Sequence, residues 1–279
     1  MDDVKGRNIL SLKAYLKRIS YVGEWSADLK TLEKIHYLHT TTIPFENISP
    51  FVGDHVLLDS TSLNDKILKS GRGGYCFEQN VLFGNVLRQM GFEVRGLAAR
   101  VRWGVKENRI TRRSHMLLLV TIDKTQYIAD VGFGGMTMTA PLKLDTSANQ
   151  STSHEPYRIL QHPNNYRLEA KITGTWCPLY DFDLQEQFMP DYETMNWYMS
   201  TYPETPFVNR LMVVRPGEKC RYALNNNKFT IHYLNKESEK HLLNSEEEIL
   251  DVLQNPFHLR LTEKLTMRLK KVLTKKIAF

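Results

Sequence analysis

Residues 71–92 have the sequence GRGGYCFEQNVLFGNVLRQMGF, and the patterning of the chain changes on either side of this stretch. Segment 76–90 is amphipathic and predicts a buried helix, for which Gly91 is a suitable C-terminal cap. Upstream, apolar residues recur at helical spacing. That spacing predicts further helices at 9–19, 29–38 and 62–69. The chain up to residue 90 is therefore predicted to be helical.

Beyond Gly91 the chain is divided into short runs rich in Val, Ile, Leu and Tyr, each bounded by turn residues. These runs predict antiparallel strands at 92–103, 115–122, 126–133, 156–162 and 166–172. The remainder alternates, with predicted helices at 181–200, 246–254 and 262–275 and predicted strands at 207–214 and 228–234. Helices followed by strands and then by a mixed region indicate an α+β protein, because a doubly wound sheet would alternate strand and helix.

The composition is that of a globular protein. Of 279 residues 42% are apolar and 24% charged, which excludes collagen-like and wholly disordered classes. No run approaches the roughly 18–20 apolar residues of a membrane helix. The opening MDDVKGRNIL lacks an apolar core, so we expect no secretory signal. An odd count of three cysteines is typical of a reducing compartment, and we expect a cytoplasmic protein.

The net charge of +6 is modest, and much of the excess lies in Lys270-Lys271 and Lys275-Lys276. We interpret these lysines as a solvated helix face. Nucleic-acid binding would need a basic face interleaved with aromatic residues, which the sequence lacks. We therefore expect neither a nucleic-acid nor a membrane partner.

Cys76 is the first candidate for chemistry. It follows three glycines and begins a predicted helix, whose free N–H groups and positive potential favour a thiolate. A buried structural cysteine is the alternative interpretation.

A nucleophilic cysteine needs a base, and the base needs an orienting group. His115 and Asp130 are the candidates, because each is an ionisable residue in an apolar predicted strand. A two-residue turn at Asp123-Lys124 would place them diagonally on one face, about 7–8 Å apart between Cα atoms. A three-residue loop would place them on opposite faces. The spacing thus permits the pair, and two separate polar positions remain the alternative.

Four blocks in order resemble the arylamine N-acetyltransferases. Segment 72–80 (RGGYCFEQN) is similar to the family signature R-G-G-x-C-x-E-x-N, and segment 43–47 (IPFEN) to its I-P-F-E-N block. His115 matches the family's base, and Asp130 matches the acid of its D-x-G-F-G segment. The resemblance covers about residues 10–140 and is weaker beyond. Ser114 and Gln79 depart from the commoner Thr and Leu.

The resemblance implies an activity and a fold. The activity is acetyl-CoA-dependent acetylation of arylamines and arylhydrazines, with ping-pong kinetics through acetylated Cys76 and a Cys76, His115, Asp130 triad. The fold has three parts: a helical bundle (1–90), a central antiparallel β-barrel (91–195) and an α/β lid (196–279). Two alternatives share the triad, an amide synthase of polyketide assembly and a transglutaminase-like cysteine hydrolase.

Further residues are assigned around this site. Phe45, Phe133 and Gly134 are expected to bind substrate, with core packing for Phe45 and a structural bend at 132–135 as alternatives. Thr111 and Arg112 precede His115 and are candidates for holding CoA phosphates, against the alternative of a solvated loop.

Two further pairs are given structural roles. Glu46 and Arg72 are predicted to form an ion pair. His36 and His39 have helical spacing but no further ligand at metal-binding spacing, so we expect no metal.

Overall fold

The structure is a computed structural model that describes residues 10–277. Its first part is helical, as predicted, although Ile9 and most of the opening segment lie outside the described residues. The elements are α1 (Leu12–Arg18), α2 (Leu29–Thr42), a short β1 (Phe45–Glu46), α3 (Ile48–Phe51), α4 (Ser60–Leu63), a π-helical turn (Asn64–Lys69) and α5 (Cys76–Gln89).

Local signals determine where these helices begin and end. The Asp28 carboxylate accepts the Thr31 N–H at 2.8 Å and caps α2. The Glu78 carboxylate accepts the Tyr75 N–H at 3.2 Å and closes the start of α5. After α5, Gly91 has a φ of +90°, the left-handed conformation that ends a helix and that glycine adopts without strain. The predicted cap is confirmed.

Seven strands form one antiparallel sheet in the order β5-β4-β3-β2-β8-β7-β6. They are β2 (Glu93–Val101), β3 (His115–Ile122), β4 (Thr125–Ala129), β5 (Leu142–Lys143), β6 (Tyr157–Gln161), β7 (Tyr166–Ile172) and β8 (Thr175–Phe182). The predicted bounds of β3 and β7 are confirmed. β8 was not predicted, and its end was included in the helix expected at 181–200.

A glutamine brings the two edges of this sheet together. Gln150 exchanges backbone hydrogen bonds with Tyr157 of β6 at 2.8 and 2.9 Å. Its side-chain amide bonds the N–H and the C=O of Lys143 in β5 at 2.7 and 2.9 Å. The sheet is thereby a nearly closed barrel, and its interior is filled by buried aliphatic and aromatic side chains that include Leu97, Leu117, Ile128, Leu168 and Tyr180. The barrel expected from the resemblance is confirmed.

The last part mixes helices and a second sheet. Its elements are α6 (Met189–Thr201), α7 (Pro206–Asn209), β9 (Met212–Pro216), β10 (Cys220–Asn225), β11 (Lys228–Tyr233), β12 (Glu239–Leu242), α8 (Glu246–Gln254) and α9 (Glu263–Lys276). The α+β class and its three-part arrangement are confirmed. The segment boundaries at 90 and 195 stay a prediction, and α6 runs through residue 195.

Two expectations in this region were wrong in detail. Residues 207–209 of the strand predicted at 207–214 are helical, because Pro206 begins a turn of helix. β10 and β12 were not predicted, and the four residues of β12 are all exposed and carry no apolar alternation. Among residues 10–277, no helix combines the length and the apolar character needed to cross a bilayer.

β1 connects the helical part to this second sheet. Phe45 pairs with Val214 of β9, and on its other side it forms a bridge with Gly74. The loop that carries Phe45 is therefore held between the lid and the segment that leads into α5. Phe45 lies at the junction where the functional site is found.

Candidate active site

Cys76 is the first residue of α5 and its side chain is buried, with 3% of the residue exposed. Its Sγ lies 3.9 Å from the carbonyl oxygen of Ser114, the residue before β3. Glycine is required at positions 73 and 132 because neighbouring atoms leave no room for a Cβ there. A Cβ on Gly73 would lie 2.0 Å from the Pro44 oxygen, and one on Gly132 would lie 2.8 Å from the Cys76 Cα.

His115, the first residue of β3, faces Cys76. Its Nε2 donates to Asp130 Oδ2 at 2.7 Å, and the neighbouring Cys76 side chain helps to raise the pKa of the ring. The ring is enclosed by Phe133 and Tyr180, at centroid distances of 5.1 and 5.0 Å. The imidazole therefore has one orientation, between carboxylate and sulfur.

Asp130 follows β4 directly and is fully buried. Besides His115, its carboxylate accepts the Asn80 Nδ2–H at 3.0 Å and the Gly132 N–H at 2.9 Å. Asn80 also donates to the Met116 oxygen at 2.7 Å and accepts the Val131 N–H at 3.1 Å. Asn80 thus attaches α5, which carries Cys76, to β3, which carries His115, and to the segment after β4, which carries Asp130.

The electrostatics of the pair follow from these contacts. Burial alone would lower the pKa of His115, but the charge of Asp130 and the hydrogen bonds with Asp130 and Cys76 outweigh it and raise the pKa to about 10. Burial would raise the pKa of Asp130, and the His115 charge with the Asn80 and Gly132 donors lowers it instead. At neutral pH the site therefore holds an imidazolium beside a carboxylate.

One cavity of about 2100 Å³ opens onto the sulfur. Its wall includes all the residues predicted from the sequence: Phe45, Cys76, Thr111, Arg112, His115, Phe133 and Gly134, with Asp130 directly behind His115. Cationic side chains are frequent in the lining, among them Arg109, Lys171, Lys236 and Lys240. The cavity thus combines the nucleophile with aromatic and cationic side chains in one wall.

The loop before His115 is ordered by a buried arginine. The Arg102 guanidinium donates to the oxygens of Lys106, Glu107 and Arg109 at 3.2, 2.7 and 2.7 Å. Arg112 lies over the Tyr198 ring, 4.9 Å from its centroid. The backbone of this segment is folded around Arg102, while the Arg109 and Arg112 side chains are exposed to solvent, so their role in holding CoA phosphates stays a prediction.

Comparison with known proteins agrees with this geometry. A family model described as N-acetyltransferase matches residues 28–266. The chain is 37% identical over 253 residues to an arylamine N-acetyltransferase of Mycolicibacterium smegmatis, covering 89% of this chain and 91% of that protein. The chain belongs to the arylamine N-acetyltransferase family. It is therefore an acyltransferase by family.

Solved structures of arylamine N-acetyltransferases share the fold. The enzyme of Mycobacterium marinum in complex with CoA superposes with a TM-score of 0.91 at 35% identity, covering 95% of this chain and 99% of that chain. The enzyme of Salmonella typhimurium superposes with a TM-score of 0.89 at 33% identity, covering 96% and 100%.

The predicted ion pair between Glu46 and Arg72 is confirmed, with Arg72 Nε 2.9 Å from Glu46 Oε1. His36 and His39 are both buried and neutral, since burial lowers their pKa values to about 3 and about 4. His36 accepts the Asp130 N–H at 3.3 Å. Among residues 10–277 no group of His, Cys, Asp and Glu has the arrangement of a metal site.

Sequence reasoning missed Tyr180. It lies on β8, packs against His115 and Phe133, and is fully buried. Burial and the Asp130 charge raise the pKa of Tyr180 well above its usual range, so its hydroxyl stays protonated. A prediction of β8 would have been needed to find it, since 50 residues separate it from Asp130.

Proposed function

We propose that the protein transfers the acetyl group of acetyl-CoA to arylamines and arylhydrazines through a thioester on Cys76. The observation that carries the proposal is the orientation of His115, which is held by Asp130 at 2.7 Å and lies with Cys76 in the wall of one cavity. An oriented base beside a thiol is what nucleophilic catalysis requires.

The first half-reaction begins from a Cys76 thiolate beside the His115 imidazolium, because the thiol proton has already passed to the ring before acetyl-CoA reacts. The thiolate attacks the carbonyl carbon of acetyl-CoA, and the bond from that carbon to the CoA sulfur breaks. The CoA sulfur leaves with the electron pair and takes the proton from His115. Asp130 stabilises the imidazolium meanwhile. Because one thioester replaces another, this half-reaction is reversible.

The second half-reaction begins when the amine nitrogen attacks acetylated Cys76. His115 accepts a proton from that nitrogen, and the bond from carbon to Sγ breaks to leave the Cys76 thiolate and the N-acetyl product. CoA has left before the amine reacts, so the kinetics are ping-pong. The Cys76 backbone N–H at the start of α5 is a suitable donor to the oxyanion.

The acceptor amine is assigned to the apolar wall beside the sulfur. Phe45 lies 3.7 Å from the point where a Cβ on Gly134 would stand, and Phe207 lies 6.2 Å from Phe45 between ring centroids. Phe133 meets the His115 ring edge to face. A planar aromatic amine fits between such rings, since aromatic pairs favour offset and edge-to-face contacts.

The CoA phosphates are assigned to the cationic wall, with Arg112 as the main contact. No carboxylate is paired with Arg112 within the described residues, whereas its neighbour Arg113 is paired with Asp183. Thr111 is the weaker of the two predicted contacts, because its hydroxyl donates to the Val101 oxygen at 2.9 Å. Arg112→Ala should raise the KM for acetyl-CoA about tenfold, as expected for one lost charged hydrogen bond. Arg113→Ala is the matched control and should leave it unchanged.

The decisive experiment is mass spectrometry after incubation with acetyl-CoA. We expect one acetyl group on Cys76, release of free CoA, and loss of the adduct when an arylamine or arylhydrazine is added. Cys76→Ser should form no such adduct, since a hydroxyl is far less ionised beside the same base. An adduct on Cys177 or Cys220 would contradict the assignment.

A panel of acceptors separates the related activities. Transfer to alkylamines or carrier-bound chains with none to arylamines would indicate the amide synthase, and rapid hydrolysis without amine would indicate the hydrolase. The cytoplasmic location stays a prediction.

A further inference from the structure

Gln79 lies one helical turn after Cys76, is completely buried, and is not one of the residues that line the cavity. Its Nε2 donates to the Pro44 oxygen at 2.9 Å and to the Gly74 oxygen at 3.2 Å. Its Oε1 faces His39 Nε2 at 2.6 Å. The catalytic steps above do not use this residue, although it satisfies buried carbonyls on two separate segments.

The hydrogen bonds determine the orientation of the amide. A reversed amide would place its oxygen against two carbonyl oxygens, so the nitrogen must face them. Gln79 Oε1 is then an acceptor, which makes His39 Nε2 the protonated nitrogen. His39 Nδ1 consequently accepts from the Tyr15 hydroxyl at 2.9 Å. The chain Tyr15–His39–Gln79 therefore has one direction and one set of protons.

The two segments joined by Gln79 carry different functional residues. Pro44 precedes Phe45, which belongs to the apolar wall assigned to the acceptor amine, and Gly74 lies two residues before Cys76. The segments touch, since the Glu46 N–H donates to the Gly74 oxygen at 3.0 Å. The Gln79 amide therefore bonds both segments at the junction beside Phe45.

The triad is held by other contacts. Asp130 is bonded by Asn80, Gly132 and His115, and none of these bonds involves Gln79. Cys76 is the first residue of α5, and the start of this helix is fixed by the hydrogen bond from the Tyr75 N–H to the Glu78 carboxylate. Loss of the Gln79 amide should therefore shift Phe45 more than it disturbs the reacting atoms.

We propose that Gln79 is a positioning residue for the acceptor, which places Phe45 relative to Cys76 and so favours aromatic amines over smaller ones. The inference rests on the proposed function. It predicts that the two half-reactions respond differently to the loss of the amide, which a purely structural role would not produce.

The test is Gln79→Met, which keeps the length and the helix propensity and removes the amide. In ping-pong kinetics, kcat/KM for acetyl-CoA reports the first half-reaction and kcat/KM for the amine the second. We expect the arylamine value to fall about tenfold to a hundredfold, as for a displacement of about 1 Å, and the acetyl-CoA value to change less than about threefold. The value for a small hydrazine should also change little.

Gln89→Met is the matched control, because Gln89 lies on the same helix and also donates to a backbone oxygen, that of Leu10 at 3.0 Å. It should change neither value. If Gln79→Met does not fold, Gln79→Asn takes its place, since it keeps an amide but is one methylene too short.

A double-mutant cycle with Phe45→Leu identifies the route of the effect. If Gln79 acts through Phe45, the fold decrease in kcat/KM for the arylamine in the double variant should be much smaller than the product of the decreases in the two single variants. Equal losses in both half-reactions, or independent effects of the two substitutions, would overturn the inference. The proposed function fails separately, if the unmodified protein is not acetylated on Cys76.

Discussion

The His115 imidazole and the Asp130 carboxylate meet at 2.7 Å although the two residues are not partners in the strand ladder. Leu118 pairs with Ala129, so the same register carried outward places His115 opposite Gly132. Asp130 lies diagonally across, on the same face. The register depends on a two-residue turn at Asp123 and Lys124, both with positive φ, and a slip of one residue would turn Asp130 to the other face.

Replacement of Asp130 by Asn should lower kcat by about three to four orders of magnitude, because an amide holds the wrong tautomer of the base, as in the serine protease triad. The measurement is arylamine acetylation together with the rate of CoA release. Asp123→Asn is the control: it makes the same chemical change in the same hairpin, at a turn position where Asn is favoured. A loss below about tenfold in Asp130→Asn would show that the carboxylate does not orient His115.

Alkylation of Cys76 by iodoacetamide should depend weakly on pH. His115 has a pKa of about 10 and stays protonated beside the sulfur throughout the neutral range, and an adjacent imidazolium favours the thiolate. We expect the rates at pH 6 and pH 8 to agree within about threefold, whereas an ordinary thiol loses about tenfold per unit below about pH 8.5.

The background from Cys177 and Cys220 is measured in Cys76→Ser and subtracted. A rate that follows the ordinary thiol profile would show that no ion pair forms at rest, and that His115 acts as a base only during the reaction.

The pair should also make stability depend on pH. The pKa of His115 is raised in the folded protein to about 10, so its contribution is complete below about pH 6.5 and is lost as the pH rises through about 10. The pKa of Asp130 is lowered, so its contribution is present above about pH 4 and is lost as the pH falls below that.

Thermal unfolding of the unmodified protein and of Asp130→Asn checks this dependence. The difference in Tm should be largest between about pH 4 and pH 6.5, since removing one partner of a buried pair costs about 3–5 kcal/mol. The difference in Tm between the two proteins should become smaller toward pH 10. A difference that is constant across this range would mean that the pair is uncharged in the folded protein.

Features encoded by neighbouring residues were predictable from the sequence. The cap at Gly91, the bounds of β3 and the turn at Asp123-Lys124 each depend on a few adjacent residues, so the register that brings His115 toward Asp130 could be anticipated. The choice between a two-residue turn and a three-residue loop still needed the structure, because both are compatible with the same composition.

Features that depend on distant contacts were not predictable. Gln150 closes the barrel through Lys143 and Tyr157, yet a lone polar residue in a loop carries no signal for that role. Tyr180 was missed for the same reason. The resemblance supplied the barrel itself, and the contacts of Asn80 show why one helix residue can hold both strands of the site.

The ion pair between Glu46 of the IPFEN block and Arg72 should dominate the stability of this region. Glu46 is fully buried, its Oε2 accepts the Ile48 N–H at 2.7 Å, and Arg72 is the nearest cation. Burial would raise the pKa of Glu46, but the charges of Arg72 and Lys66 lower it, so Glu46 is ionised.

Arg72→Met leaves this carboxylate with Lys66 alone, 3.8 Å away, and should reduce the free energy of unfolding by about 3–5 kcal/mol. Lys69→Met is the control, since its pair with Asp65 is exposed and should contribute at most about 1 kcal/mol. Chemical denaturation measures both, and Glu46→Gln combined with Arg72→Met should recover part of the loss because no unpaired charge then remains buried. Equal effects of Arg72→Met and Lys69→Met would show that Glu46 takes up a proton when Arg72 is removed.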